Sequence, residues 1–96
     1  MKEIRKTETF IKWLNALKDN TGKAFIIDRI YRLQDNSPGD SRFFGDISEM
    51  RIHYGPGYRV YYKDNGKEII ILLCGGDKST QKKDIIKAKK LAKLEE

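Results

Sequence analysis

Ile69-Ile-Ile-Leu-Leu-Cys74 is apolar at every position. A strand with one face in water alternates between apolar and polar residues, and this run does not, so it reads as a strand buried on both faces and placed centrally in a sheet. The chain has 96 residues, of which 39% are hydrophobic and 35% charged. Nearly every large apolar side chain must therefore be buried, and there is room for one core only, so residues 1–96 read as a single domain. Cys74 ends the run among apolar neighbours and is expected to be a small buried hydrophobe rather than a nucleophile. With one Cys and one His, a structural zinc site and an intrachain disulfide are both excluded.

Around this strand the periodicity divides the chain. Residues 2–6 suit a short strand. From Thr7, a suitable helix cap, Phe10, Trp13, Leu14 and Leu17 recur on one helical face, and Asp19-Asn-Thr-Gly22 reads as the stop. A second helix from about Lys23 would turn Ile26, Ile27, Ile30 and Leu33 inward and Arg29 and Arg32 outward. So short a connection predicts a helical hairpin. Asp35-Asn-Ser-Pro-Gly-Asp40 is a loop by composition. The period then becomes two: Met50 and Ile52 alternate with Glu49, Arg51 and His53, and Tyr58, Val60 and Tyr62 with Arg59, Tyr61 and Lys63. Gly55-Pro-Gly57 supplies the turn of this β-hairpin, and Lys63-Asp-Asn-Gly66 a second turn. A last helix from Ser79 has Ile85, Ala88, Leu91 and Ala92 inward. The expected class is α+β in the order β-α-α-β-β-β-α, the helical hairpin covering one face of a mainly antiparallel sheet and the other face left partly open.

The net charge of +6 favours an anionic partner such as nucleic acid, an acidic protein segment or a membrane surface. No apolar run approaches the ~20 residues that span a bilayer, and no apolar stretch follows Met1–Lys6 as in a signal peptide, so the chain reads as cytosolic. Strand alternation puts Glu49, Arg51, His53, Arg59 and Tyr61 on one sheet face. Two arginines about 5 Å apart across strands can grip adjacent phosphate oxygens, and their mutual repulsion favours an anion between them. Lys78, past the buried strand, adds a third cation. RNA cleavage without metal needs a base for the 2′-hydroxyl, an acid for the leaving 5′-oxygen and cations for the phosphorane. Arg59 and Arg51 suit the last role, the guanidinium fork matching two oxygens, and His53 suits acid or base near neutral pH. A tyrosine hydroxyl from Tyr54, Tyr58 or Tyr61 can transfer a proton, or its ring can stack on a base, and Glu49 can orient an arginine. The same residues also fit a solvated strand face, an inert strand-end histidine and, for Lys82 and the other lysines of the last helix, a solvated helix face. Gly75-Gly76 matches no phosphate-loop signature.

Phe10-Ile-Lys-Trp-Leu-Asn-Ala-Leu-Lys-Asp19, Glu49-Met-Arg-Ile52, Gly55-Pro-Gly-Tyr-Arg-Val-Tyr-Tyr62 and Gly75-Gly-Asp-Lys-Ser-Thr-Gln-Lys-Lys-Asp-Ile85 together resemble small toxins of the RelE/ParE superfamily. Nearly the whole chain takes part, and the HigB-like, phage-derived branch described as "addiction module killer protein" fits best. The resemblance implies a compact RelE-like α+β fold, a cognate antitoxin, and ribosome-dependent mRNA cleavage that leaves a 2′,3′-cyclic phosphate with no cofactor or metal. Arg59 matches the family arginine held against the scissile phosphate. Arg51 stands where RelE-type toxins carry a basic strand residue, and Lys78 falls near their later basic residue. Those toxins have an active tyrosine near the C-terminus, whereas no tyrosine follows Tyr62 here, which leaves His53 and Gln81 as substitutes. Tyr61, Tyr58, Gln81 and Lys82 are the expected substrate contacts. The antitoxin is expected to cover the Arg51/Arg59 surface or displace the last helix, and to carry the complex to its operator DNA. The superfamily also holds ParE-type inhibitors of DNA gyrase, which bind protein and cleave nothing, and a third possibility is an inactive toxin that only binds its antitoxin.

Overall fold

A computed structural model describes residues 2–66 and 68–95. In chain order its elements are β1 (Glu3–Lys6), α1 (Glu8–Ala16), α2 (Asn20–Gln34), β2 (Ser41–Phe44), β3 (Ile47–Ile52), β4 (Tyr58–Asp64), β5 (Ile69–Gly76), a 3-10 turn (Lys78–Thr80) and α3 (Gln81–Leu94). The strands form one sheet in the order β1-β5-β4-β3-β2. β1 runs parallel to β5, and every other pairing is antiparallel. The α+β class and the expected element order hold, with β2 as an added strand at the edge. β5 lies between β1 and β4 with neither edge open, which explains a run that is apolar throughout, although β4 is the middle strand.

Thr7 caps α1, its Oγ1 accepting from the Phe10 amide at 3.1 Å. The same hydroxyl donates to the Leu73 carbonyl at 2.6 Å and so ties the start of α1 to β5. Asp19 begins α2 rather than stopping α1: its Oδ1 accepts from the Gly22 amide at 2.9 Å. This early cap starts α2 at Asn20, ahead of Lys23. Ile26, Ile30 and Leu33 are buried as expected, but Ile27 is 41% exposed. Arg29 turns inward instead of outward. Its guanidinium donates to the carbonyls of Arg51 (2.6 Å), Pro38 (2.7 Å) and Asp40 (3.3 Å). Those bonds pin the 35–40 loop against β3.

Both sheet faces carry a core. Phe10, Ile26, Ile30, Leu33, Met50 and Val60 belong to the cluster under α1 and α2. On the opposite face Ile47, Tyr61, Ile71, Leu73, Cys74, Ala88 and Ala92 pack together under α3. That face is more covered than the polar pattern of Arg59, Tyr61 and Lys63 implied. A register shift makes this possible: Tyr61 pairs with Cys74 but Tyr62 with Leu72. Leu73 is the extra residue of a bulge, and Leu73 and Cys74 both reach the α3 side. Among the described residues no helix is long and apolar enough to cross a membrane.

Gly75 and Gly76 mark close approach on opposite faces. A Cβ at Gly75 would meet the Trp13 ring of α1 at 2.3 Å, and one at Gly76 would meet Asp84 Oδ2 of α3 at 1.8 Å. The Asp84 carboxylate is itself buried and accepts from Thr80 Oγ1 at 2.5 Å. Gly75→Ala and Gly76→Ala should therefore each lower the unfolding free energy in urea titrations by about 1–3 kcal/mol, the usual cost of overpacking. Wild-type midpoints would contradict the packing described.

Candidate functional site

Arg51 of β3 and Arg59 of β4 are direct cross-strand partners, and Arg59 is in turn opposite Gly76 of β5. Like charges placed so destabilise a sheet unless something lies between them. Glu49 does: its side chain is fully buried, and Oε1 accepts from Arg59 Nη1 at 3.0 Å and lies 3.9 Å from Arg51 Nε. Its other oxygen, Oε2, accepts from Tyr61 OH at 3.1 Å and from Gln81 Nε2, at the start of α3, at 3.0 Å. A buried carboxylate needs both a cation and further donors to be tolerated, and Glu49 has them. Arg59 is mostly buried, with 11% of its side chain exposed, while Arg51 keeps 32%. The Nε atoms of both are buried and meet no acceptor among the described residues.

A second acid completes the arrangement. Asp40, the last residue of the 35–40 loop, accepts from Arg51 Nη2 at 3.1 Å through Oδ1, while its Oδ2 makes a short hydrogen bond with His53 Nε2. His53 itself is 75% exposed. Just past the end of β3, two residues beyond Arg51, it is oriented by Asp40, as an acid–base histidine must be by some partner. The bond with His53 holds the Asp40 carboxyl below its ordinary range; desolvation opposes this, and the Arg51 charge adds to the lowering.

The structure thus gathers Arg51, Arg59, Tyr61 and Gln81 around Glu49, with His53 joined through Asp40. Tyr61 is not a surface stacking group. It is fully buried, and burial together with the neighbouring Glu49 charge and hydrogen bond raises its pKa far above the ordinary phenol value. It is a fixed donor to Glu49 and a poor proton-transfer group. Tyr58 lies on the opposite face, buried in the α1/α2 core, with its hydroxyl donating to Asp19 Oδ2 at 2.9 Å. Neither ring is available to a base. Lys78 and Lys82 are exposed and line a hollow of about 340 Å³ around the 3-10 turn and the start of α3. Lys78 stays near the β-hairpin because its amide donates to the Pro56 carbonyl at 3.4 Å. The cationic face is also less charged than its sequence suggested, since Glu49 and Asp40 offset both arginines.

Sequence reasoning missed Asp40 and Arg29. Both belong to segments read correctly as loop and helix, but only the loop's path over β3 brings them to the site. Cys74 is buried as expected, and burial pushes its thiol up to about 12. Among the described residues no group of three or more His, Cys, Asp or Glu side chains is gathered to hold a metal ion.

Fold and site together define a small α+β protein built around a compensated arginine pair, with an Asp-oriented histidine beside it. The family model for "Phage derived protein Gp49-like (DUF891)" matches residues 12–93, and the chain belongs to that family. It is 53% identical over 91 residues to an uncharacterized protein of Haemophilus influenzae, covering 94% of this chain and 92% of the relative. No solved structure matches.

Two expectations follow from this geometry. Glu49→Ala should destabilise the fold by about 3–5 kcal/mol in chemical denaturation, because it strands a largely buried arginine. Tyr61→Phe should cost only about 1 kcal/mol, since Gln81 still serves the same oxygen. Equal and small losses for both would contradict the central place given to Glu49. The depressed Asp40 pKa gives a pH signature. The unfolded chain takes up this proton near pH 4, about the model-peptide value, and the folded chain only at lower pH. The stabilisation is present above about pH 4 and lost as pH falls through the folded value. Asp40→Asn should flatten that acid limb of the stability curve, and an unchanged slope would remove the His53–Asp40 pair from the account.

Proposed function

We propose that this chain is the toxin of a type II toxin–antitoxin pair and acts as a ribosome-dependent mRNA endoribonuclease. The observation that carries the reading is the cross-strand arginine pair, set beside a histidine oriented by a carboxylate. Two guanidinium groups on adjacent strands are a place for a backbone phosphate, once a guanidinium turns from Glu49. Membership of a phage-derived family supports it at a coarser level.

In this scheme the 2′-hydroxyl attacks the adjacent phosphorus, the bond to the 5′-oxygen breaks, and a 2′,3′-cyclic phosphate remains. Arg59 and Arg51 stabilise the charge on the non-bridging oxygens. Lys78 adds a longer-range positive potential from the end of β5. His53 transfers a proton at either the attacking 2′-oxygen or the leaving 5′-oxygen, held in register by Asp40. Glu49, Tyr61 and Gln81 act behind the arginines as positioning residues, and Lys82 steers the strand. With Tyr61 withdrawn into the core, proton transfer falls to the exposed His53. A site so provided needs a substrate already aligned for in-line attack, which a codon held on the ribosome supplies. The cognate antitoxin would neutralise the toxin by covering the Arg51/Arg59 surface or by displacing α3, and would bring the complex to operator DNA.

The offsetting of both arginines by Glu49 and Asp40 is what keeps the second reading alive, a ParE-type inhibitor that binds DNA gyrase and cleaves nothing. Short induced expression in bacteria, with transcript 5′ ends mapped genome-wide, separates the two. Wild type should create new ends inside translated frames. His53→Ala, at an exposed position that leaves the fold intact, should lower their yield by about 10²–10⁴-fold, and Arg59→Ala should abolish them. Growth arrest without new ends would transfer the assignment to gyrase inhibition. Good soluble expression without arrest would mark an inactive homologue.

A further inference from the structure

A hollow of about 310 Å³ lies between α2 and the turn after β3, within the lower size range of ligand clefts. Phe25, Asp28, Arg29, Arg32, His53 and Tyr54 line it. Phe25 and Tyr54 touch, with ring centroids 4.9 Å apart and planes tilted by 45°, yet remain 47% and 37% exposed. Two rings in contact that still present area to water form a platform for another flat group. The rim supplies both kinds of polar partner that the edge of a nucleobase needs, since Arg32 donates and Asp28 accepts, the two being paired at 3.0 Å.

The hollow opens on the α2 side of the sheet, the arginine side chains lie on the α3 side with Tyr61, and the two meet around the end of β3. His53 lines the hollow and also bonds Asp40, which holds Arg51 at 3.1 Å. Arg29 forms another wall and donates to the Arg51 carbonyl at 2.6 Å. A strand of RNA whose phosphate lies against Arg51 and Arg59 reaches the hollow by rounding the end of β3 past His53. We propose that the Phe25–Tyr54 platform takes one base of single-stranded RNA beside the scissile phosphate, and so sets base preference at that position. This rests on the nuclease reading above. Base–aromatic stacking is sequence-tolerant in itself, and selection comes from the Asp28/Arg32 rim.

The test is cleavage of a synthetic mRNA on stalled ribosomes by wild type, Phe25→Leu, Tyr54→Leu and Tyr54→Phe, each checked for a wild-type unfolding midpoint. Leucine keeps the apolar volume and removes the stacking face, so a folding defect is not the expected confounder. Both leucine variants should cleave about tenfold or more slowly, while Tyr54→Phe, which keeps the ring, should lose clearly less than Tyr54→Leu. An abasic nucleotide at one position next to the cut should slow wild type by a similar factor and leave Tyr54→Leu unaffected further. Leucine variants that cleave at wild-type rate and base preference would overturn the platform and leave the nuclease reading intact. An abasic penalty that persists undiminished in Tyr54→Leu would likewise overturn it. A wild type that cuts nothing would bring down the nuclease reading first and the platform with it.

Discussion

A carboxylate with no exposed surface holds the candidate site of this protein together. Glu49 reaches Arg59 from the adjacent strand, Tyr61 two residues further along that strand, and Gln81 at the start of α3. Strand pairing alone would set two arginines face to face; the carboxylate between them makes that pairing tolerable. It also fixes where α3 begins against the sheet, so the position of the helix and the positions of the arginines are one constraint. Buried charge of this kind is costly unless nearly every lone pair is used. The spread of donors over β4 and α3 is the arrangement that meets that cost.

The same interaction sets limits on what the site can do. An arginine held by Glu49 is pre-oriented, which favours recognition of a fixed phosphate geometry, but part of its charge is already spent. On the proposed nuclease reading, affinity for free nucleic acid would then depend on the exposed lysines and on whatever aligns the strand from outside. This is physically coherent with a target presented on a larger particle, and less so with indiscriminate binding of loose RNA. Asp40 plays a parallel part for His53 and Arg51, and the loop bearing it is fastened by Arg29 from α2. The two acids divide the work: Glu49 secures the arginines from below, while Asp40 ties the exposed histidine to them from the loop.

Much of the frame was legible from local patterns with local causes. Thr7 caps a helix because a hydroxyl three residues before an amide can serve it. The run at Ile69–Cys74 is interior because nothing else tolerates six apolar neighbours in a strand. The facing of Arg51 and Arg59 follows from alternation and a short turn. What escaped depends on contacts distant in sequence. β2 is a four-residue edge strand whose Arg42 and Phe43 are exposed, so it has no periodic signature. Arg29 sits on a helix at a position that reads as outward until the 35–40 loop folds over it. Tyr58 and Tyr61, assigned to opposite faces of the hairpin but both expected to contact substrate, are instead claimed by Asp19 and by Glu49, because both sheet faces are covered. The bulge at Leu73 shifts which residues reach α3, and no propensity announces it.

The measurement that bears most directly on this account is a structure of the chain bound to a ribosome stalled on an mRNA whose codon carries 2′-O-methyl groups to block cleavage. The account predicts a backbone phosphate against Arg51 and Arg59, His53 beside the blocked 2′-oxygen, and Glu49 still hydrogen-bonded behind the pair. A bound chain that turns this face away from the mRNA, or a chain that makes no complex with the ribosome, would contradict it.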